Sequence, residues 1–91
     1  MFLIISFEQS QLPVLNKELT GEVYFVSGNI KLESAVIPSH PKEKLELLQM
    51  AVKEFKKSLE YYPKNSQCVA ALADTLLQIH NIQLEKVSRN I

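Results

Sequence analysis

Apolar residues at Leu45, Leu48, Val52, Phe55, Leu59 and Tyr62 step by 3, 4, 3, 4 and 3 positions, which draws one stripe along an α-helix. No Gly, Pro or Thr interrupts the run, and Val52 is its only β-branched residue, so propensity agrees with pattern. Pro41 stands where a first helical turn tolerates a fixed φ, and Pro63 stands where a helix must stop. A central helix is therefore predicted from Lys42, with its end in the YYPKN run that closes at Asn65.

Two weaker patterns flank it. Leu15, Leu19, Val23, Val26 and Ile30 recur at 4, 4, 3 and 4 positions after Pro13, again a helical stripe, but Gly21 and Gly28 interrupt it. Each glycine costs about 1 kcal/mol against Ala inside a helix. The rival is a β-hairpin with Val23–Val26 as one strand, Ser27, Gly28 and Asn29 as the turn, and residues 30–37 as the other strand, which suits the β-branched and aromatic run VYFV. On pattern alone the two stand level. Pro38, Ser39, His40 and Pro41 form a loop in both. Downstream, Asn65 or Ser66 can cap a further helix whose stripe is Val69, Leu72, Leu76 and Ile79, with Ala70, Ala71 and Ala73 allowing close approach. The connection is about three residues long, and so short a link joins antiparallel neighbours. From Asn81 onward Ile82, Leu84, Val87 and Ile91 extend the apolar pattern, with Asn81 a candidate interruption. MFLIISF at the start suits a strand or a packed helical turn equally.

Ninety-one residues make one small domain, here taken as 1–91, with little core to spare. Apolar content of 46% and charged content of 22% are ordinary for a globular chain. A formal net charge of zero argues against general nucleic-acid affinity, although residues 42–64 hold six Lys to four Glu. The opening apolar run is seven residues long, far short of a membrane span, and lacks a basic region and a cleavage site. The single Cys68 has no internal disulfide partner. A reducing, cytoplasmic setting is the default expectation.

Ala51, Phe55, Ser58, Leu59 and Pro63 carry a family resemblance. A small residue, an aromatic, a small residue and a proline at these spacings resemble the second helix and turn of a tetratricopeptide (TPR) repeat. Val69, Leu72, Ala73 and Leu76 resemble the first helix of the next repeat, and Tyr24, Gly28 and Leu32 that of the preceding one, with Gly28 at the tight helix crossing. Tyr24 to Val69 and Gly28 to Ala73 are both 45 apart, against a family period of about 34, so about eleven residues are inserted around Ala35–Leu48. Ser27 and Lys31 stand where larger apolar residues are usual, and Glu85 and Arg89 do not continue the pattern. The resemblance spans about residues 21–80. It implies an all-α fold of antiparallel helical hairpins and favours helix over 14–36 to the hairpin. One and a half repeats cannot bury both faces of a solenoid. The two termini would then act as caps, or the chain belongs to a longer array, or it self-associates.

No catalytic constellation emerges. Cys68 and His80, the obvious candidates for a thiolate–imidazole pair, lie roughly 18 Å apart if they share one helix. Cys68 reads as a small core residue and His40 as a loop residue, and their spacings match no metal site. Glu43, Glu46, Glu54 and Glu60 among Lys42, Lys44, Lys53, Lys56 and Lys57 read as a solvated helix face. Ser27-Gly28-Asn29 lacks the pattern of a phosphate loop. No cofactor or metal is expected, and an autonomous enzyme is not expected.

The resemblance implies a non-catalytic protein–protein interaction module. Its groove would be lined by Glu22, Phe25, Asn29 and Glu33 from one first helix and Gln67, Ala70, Asp74 and Gln78 from the next. Some members clamp a C-terminal carboxylate; here Asn29 fits that role, but Phe25 and Ala71 replace the other clamp residues. An apolar or amphipathic peptide is the better expectation. The alternative is a small α+β regulatory or accessory domain, with MFLIISF and the 23–37 segment as a sheet on the helical pair.

Overall fold

In a computed structural model of the chain, residues 12–90 are described, with side chains over 16–85. Three helices follow one another: α1 (Leu12–Ser34), α2 (Pro41–Tyr61) and α3 (Ser66–Asn90). No strand occurs among the described residues, so the fold is all-α and the α+β alternative is overturned. Val23–Val26 and Ile30 are helical, with no turn at Gly28. The opening MFLIISF lies outside the described residues.

α2 is the middle helix, packed along both neighbours, while α1 and α3 barely touch. It begins at Pro41. His40 caps it, its Nδ1 accepting from the Lys42 amide at 3.3 Å. It stops at Tyr61, whose successor donates its amide to the Ser58 carbonyl at 2.8 Å. The helix thus ends before Pro63 and earlier than the YYPKN run as a whole. Asn65 starts α3, its Oδ1 accepting from the Cys68 amide at 3.2 Å, while its buried Nδ2 has no partner among the described residues. α3 runs unbroken through Asn81, whose exposed amide leaves the helical ladder intact.

The contact faces differ from the hydropathy stripes. On α2 the fully buried row is Leu48, Ala51, Phe55 and Ser58, whereas Leu45, Val52 and Leu59 are half-buried. Small Ala51 and Ser58 let two neighbours approach, one on each side of the helix.

On α1 the expected stripe points away from the hairpin. Leu19, Val23, Val26 and Ile30 are 63, 66, 52 and 59% exposed. The buried row is Gly21, Gly28 and Ala35. Neither glycine has a positive φ, so space is what requires them. A Cβ on Gly21 would stand 2.6 Å from Tyr62 Cβ, and one on Gly28 2.5 Å from the Phe55 ring. The close approach brings the Gly21 carbonyl to the Ser58 hydroxyl, which donates to it at 2.6 Å, and stacks Tyr24 on Tyr61 with centroids 5.8 Å apart. Lys31 reaches across to Glu54 at 3.2 Å, drawing that glutamate out of the solvated set. A part-exposed pair of this kind contributes ~1 kcal/mol or less.

On α3 the buried residues are Cys68 and Thr75, with Ala71 and Leu72 packed beside them. Val69 and Leu76, expected inside, are about half exposed. Phe55 is correspondingly turned: its ring lies under Gly28 and 6.0 Å from the Phe25 ring, and Val69 is not part of its surroundings. Among the described residues no helix is long and apolar enough to cross a membrane.

Candidate functional site

At about 100° per residue, three edges of α1 follow from the packing. Gly21 and Gly28 face α2. Leu19, Val23, Val26 and Ile30 lie half a turn away. Glu22, Phe25, Asn29 and Glu33 run along the edge between them. Of these four, Glu22 and Glu33 are exposed, and Phe25 and Asn29 are half-buried.

On α3 the corresponding edge carries Gln67, Ala70 and Asp74, all exposed, and half-buried Gln78, whose amide donates to the Asp74 carboxylate at 3.0 Å. Val69, Ala73 and Leu76 occupy the opposite edge of α3. Phe25 and Ala71, with Leu32, Leu59 and Leu72, pack on the buried cluster of Ala51, Phe55 and Cys68, an apolar floor that α1 and α3 share. Apart from Phe25 and Ala70, these edges are polar, with Glu22, Asn29 and Glu33 on α1 and Gln67, Asp74 and Gln78 on α3. Phe25 is the exception within the set, because its ring serves the core through Phe55 as much as it serves the groove.

Cys68 lies beneath this floor. Burial pushes its thiol pKa up; the Ser58 side chain pulls it down, and the Glu22 carboxylate pushes it up again. Its Sγ sits 3.4 Å from the Phe55 carbonyl, as a weak donor to it. His80 is exposed on the same helix, so the two never meet. A buried thiol with a raised pKa is a poor nucleophile. Modification of native Cys68 by a disulfide reagent at pH 8 is expected to run at least ~100-fold slower than in denaturant. The raised pKa has a second consequence. The folded chain keeps the thiol proton where the unfolded chain loses it, so stability should fall as pH rises beyond about 8.5–9. Immediate full labelling of the native protein would refute this placement of Cys68.

Elsewhere the chemistry is plain. Among the described residues no three His, Cys, Asp or Glu side chains converge in a way that could hold a metal ion. Glu46, Gln49, Met50 and Lys53 line only a shallow surface depression on α2. Lys57 lies over the Tyr24 ring at 5.8 Å, a contact on the outer side of the hairpin.

Compared with protein-family models, curated proteins and solved structures, the chain matches none. The reading of the site accordingly rests on its own geometry.

The surface that sequence reasoning missed is the bare aliphatic stripe of α1. Its signal was present in the pair Gly21 and Gly28. Two glycines seven apart in one helix mark a face of close helix approach, and the aliphatic residues half a turn away must then face outward.

Proposed function

We propose that the chain is a non-catalytic, TPR-like docking module that takes an apolar or amphipathic peptide or helix of a partner protein. The site is the groove rimmed by Glu22, Asn29, Glu33, Gln67, Asp74 and Gln78. The observation that carries this reading is the arrangement of α1 and α3 on one middle helix. Most of the polar residues on the two edges are exposed, and Phe25 and Ala71 pack on one cluster beneath them, which supports a trough between α1 and α3. Such a trough presents a greasy centre and hydrogen-bonding rims, which is how an amphipathic segment is held. The small-residue row Ala51 and Ser58, the Phe55–Gly28 contact and the Ser58–Gly21 hydrogen bond support the TPR-like build.

The test is selection from a displayed random-peptide library on the full chain, followed by rebinding to Asn29→Arg/Asp74→Arg. Both positions lie on the rims, so the variant should melt like the parent. Peptides that use the groove should bind the variant at least ~10-fold more weakly. Selected peptides that bind parent and variant equally would refute the groove.

A further inference from the structure

We propose that the outer face of α1 is a self-pairing surface, through which two copies of this chain associate antiparallel about a two-fold axis. This surface borders the groove, since Glu22, Asn29 and Glu33 flank both, but the inference is carried by the bare aliphatic seam and does not rest on the groove.

Leu19, Val23, Val26 and Ile30 are more than half exposed, and their 4, 3, 4 spacing is the seam of a left-handed helix pair. They point directly away from α2, so a second helix can lie along them without meeting the rest of the hairpin. Together they leave roughly 450 Å² of mainly apolar surface bare, about the apolar share of the ~800 Å² that a standard interface takes from each partner.

The seam is complementary to its own reverse. Antiparallel pairing centred between Tyr24 and Phe25 sets Leu19 against Ile30 of the second copy and Val23 against Val26. Each such layer joins aliphatic side chains of similar size. The flanks agree as well. Glu22 comes beside Asn29 of the second copy, Thr20 beside Ser27, and Glu33 opposite Asn16, so no like charges meet. A parallel, in-register pair would instead place Glu33 against Glu33 in the seam, where like charges repel. Charge thus selects the antiparallel arrangement.

That arrangement is closed by its two-fold axis, since each copy uses up its only α1 face. Val69, Leu76, Leu77 and Leu84 on α3 are also exposed, and this pairing leaves them open. Pairing α1 of one copy with α3 of the next would be head-to-tail, and would build rings or chains larger than a two-fold dimer.

Sedimentation velocity of the full chain over about 1–200 μM tests the proposal. The expected result is a monomer–dimer equilibrium that stops at twice the chain mass. Val26→Glu alone and Val23→Lys alone should each weaken pairing at least ~30-fold while leaving the circular dichroism melt of the monomer unchanged, because both positions face solvent. Mixing the two variants should restore a dimer, since Glu at 26 then meets Lys at 23 across the antiparallel seam. Monomer at every concentration overturns the proposal. So do species that grow past the dimer, a dimer indifferent to both substitutions, or a mixture that fails to recover.

Discussion

Phe55→Ala is expected to lower the free energy of unfolding by ~3–5 kcal/mol, the usual loss for truncating a buried aromatic side chain. The residue is fully buried in the middle helix. Its ring fills the space above Gly28, touches Phe25, and shares a cluster with Ala51 and Cys68. Removing it would leave a void between helices whose backbones already approach closely and cannot collapse much further. A chain of this size holds only about 5–10 kcal/mol in total. The variant should therefore be largely unfolded or loosened at 37 °C, while Lys56→Ala, on the exposed face of the same turn, changes stability by less than about 0.5 kcal/mol. Urea melts of the two proteins make the comparison. If Phe55→Ala melts with the parent, the core lies elsewhere.

Gly28→Ala should run against the general rule for helices. In an open helix this change stabilises by about 1 kcal/mol, because alanine restricts the unfolded chain. Here the new methyl would stand 2.5 Å from Cε1 and 2.7 Å from Cδ1 of a ring that is itself buried. The ring has nowhere to swing, so α1 and α2 must separate, and a net loss of ~1–3 kcal/mol is expected. Gly21→Ala should behave alike for a stiffer reason. Its methyl meets Tyr62 Cβ at 2.6 Å and the Ser58 carbonyl oxygen at 3.0 Å, groups fixed to the α2 backbone and its end. It would also disturb the 2.6 Å hydrogen bond from Ser58 to the Gly21 carbonyl. Thermal melts decide the matter through their sign. A raised melting temperature for either variant would mean that α1 does not lie this close to α2.

By propensity both glycines are penalties on a helix, and only for Gly28 did the TPR resemblance imply a tight helix crossing; the fold gives both that meaning. Their cost in propensity is real, but the close approach they permit stacks Tyr24 on Tyr61 and lets Lys31 reach Glu54. The groove residues were partly legible for a related reason. The TPR resemblance implied Glu22, Asn29 and Glu33 as one edge of a helix, and in the fold they share one edge of α1. What spacing could not reveal is that Phe25 would lean into the core, because that depends on the void beside Phe55.

The sequence by itself determined the two helices on either side of Pro63, the proline-bracketed centre, a cap at Asn65 or Ser66 and the antiparallel turn, but on pattern alone left residues 14–36 level between helix and hairpin. These are local properties, written in periodicity, propensity and a connection of a few residues. Only the tertiary structure decided which face of each outer helix turns inward. Hydropathy ranks Leu19, Val23, Val69 and Leu76 above Gly21, Gly28, Cys68 and Thr75, yet the second set is buried and the first is not. The reason is shape. α2 offers its neighbours a surface with Ala51 and Ser58 as hollows and Phe55 as a ridge, and small residues fit against it more closely than large ones. Thr75 can join them because its hydroxyl donates to the Ala71 carbonyl at 2.7 Å, within its own helix, and so carries no unpaired polar group into the core.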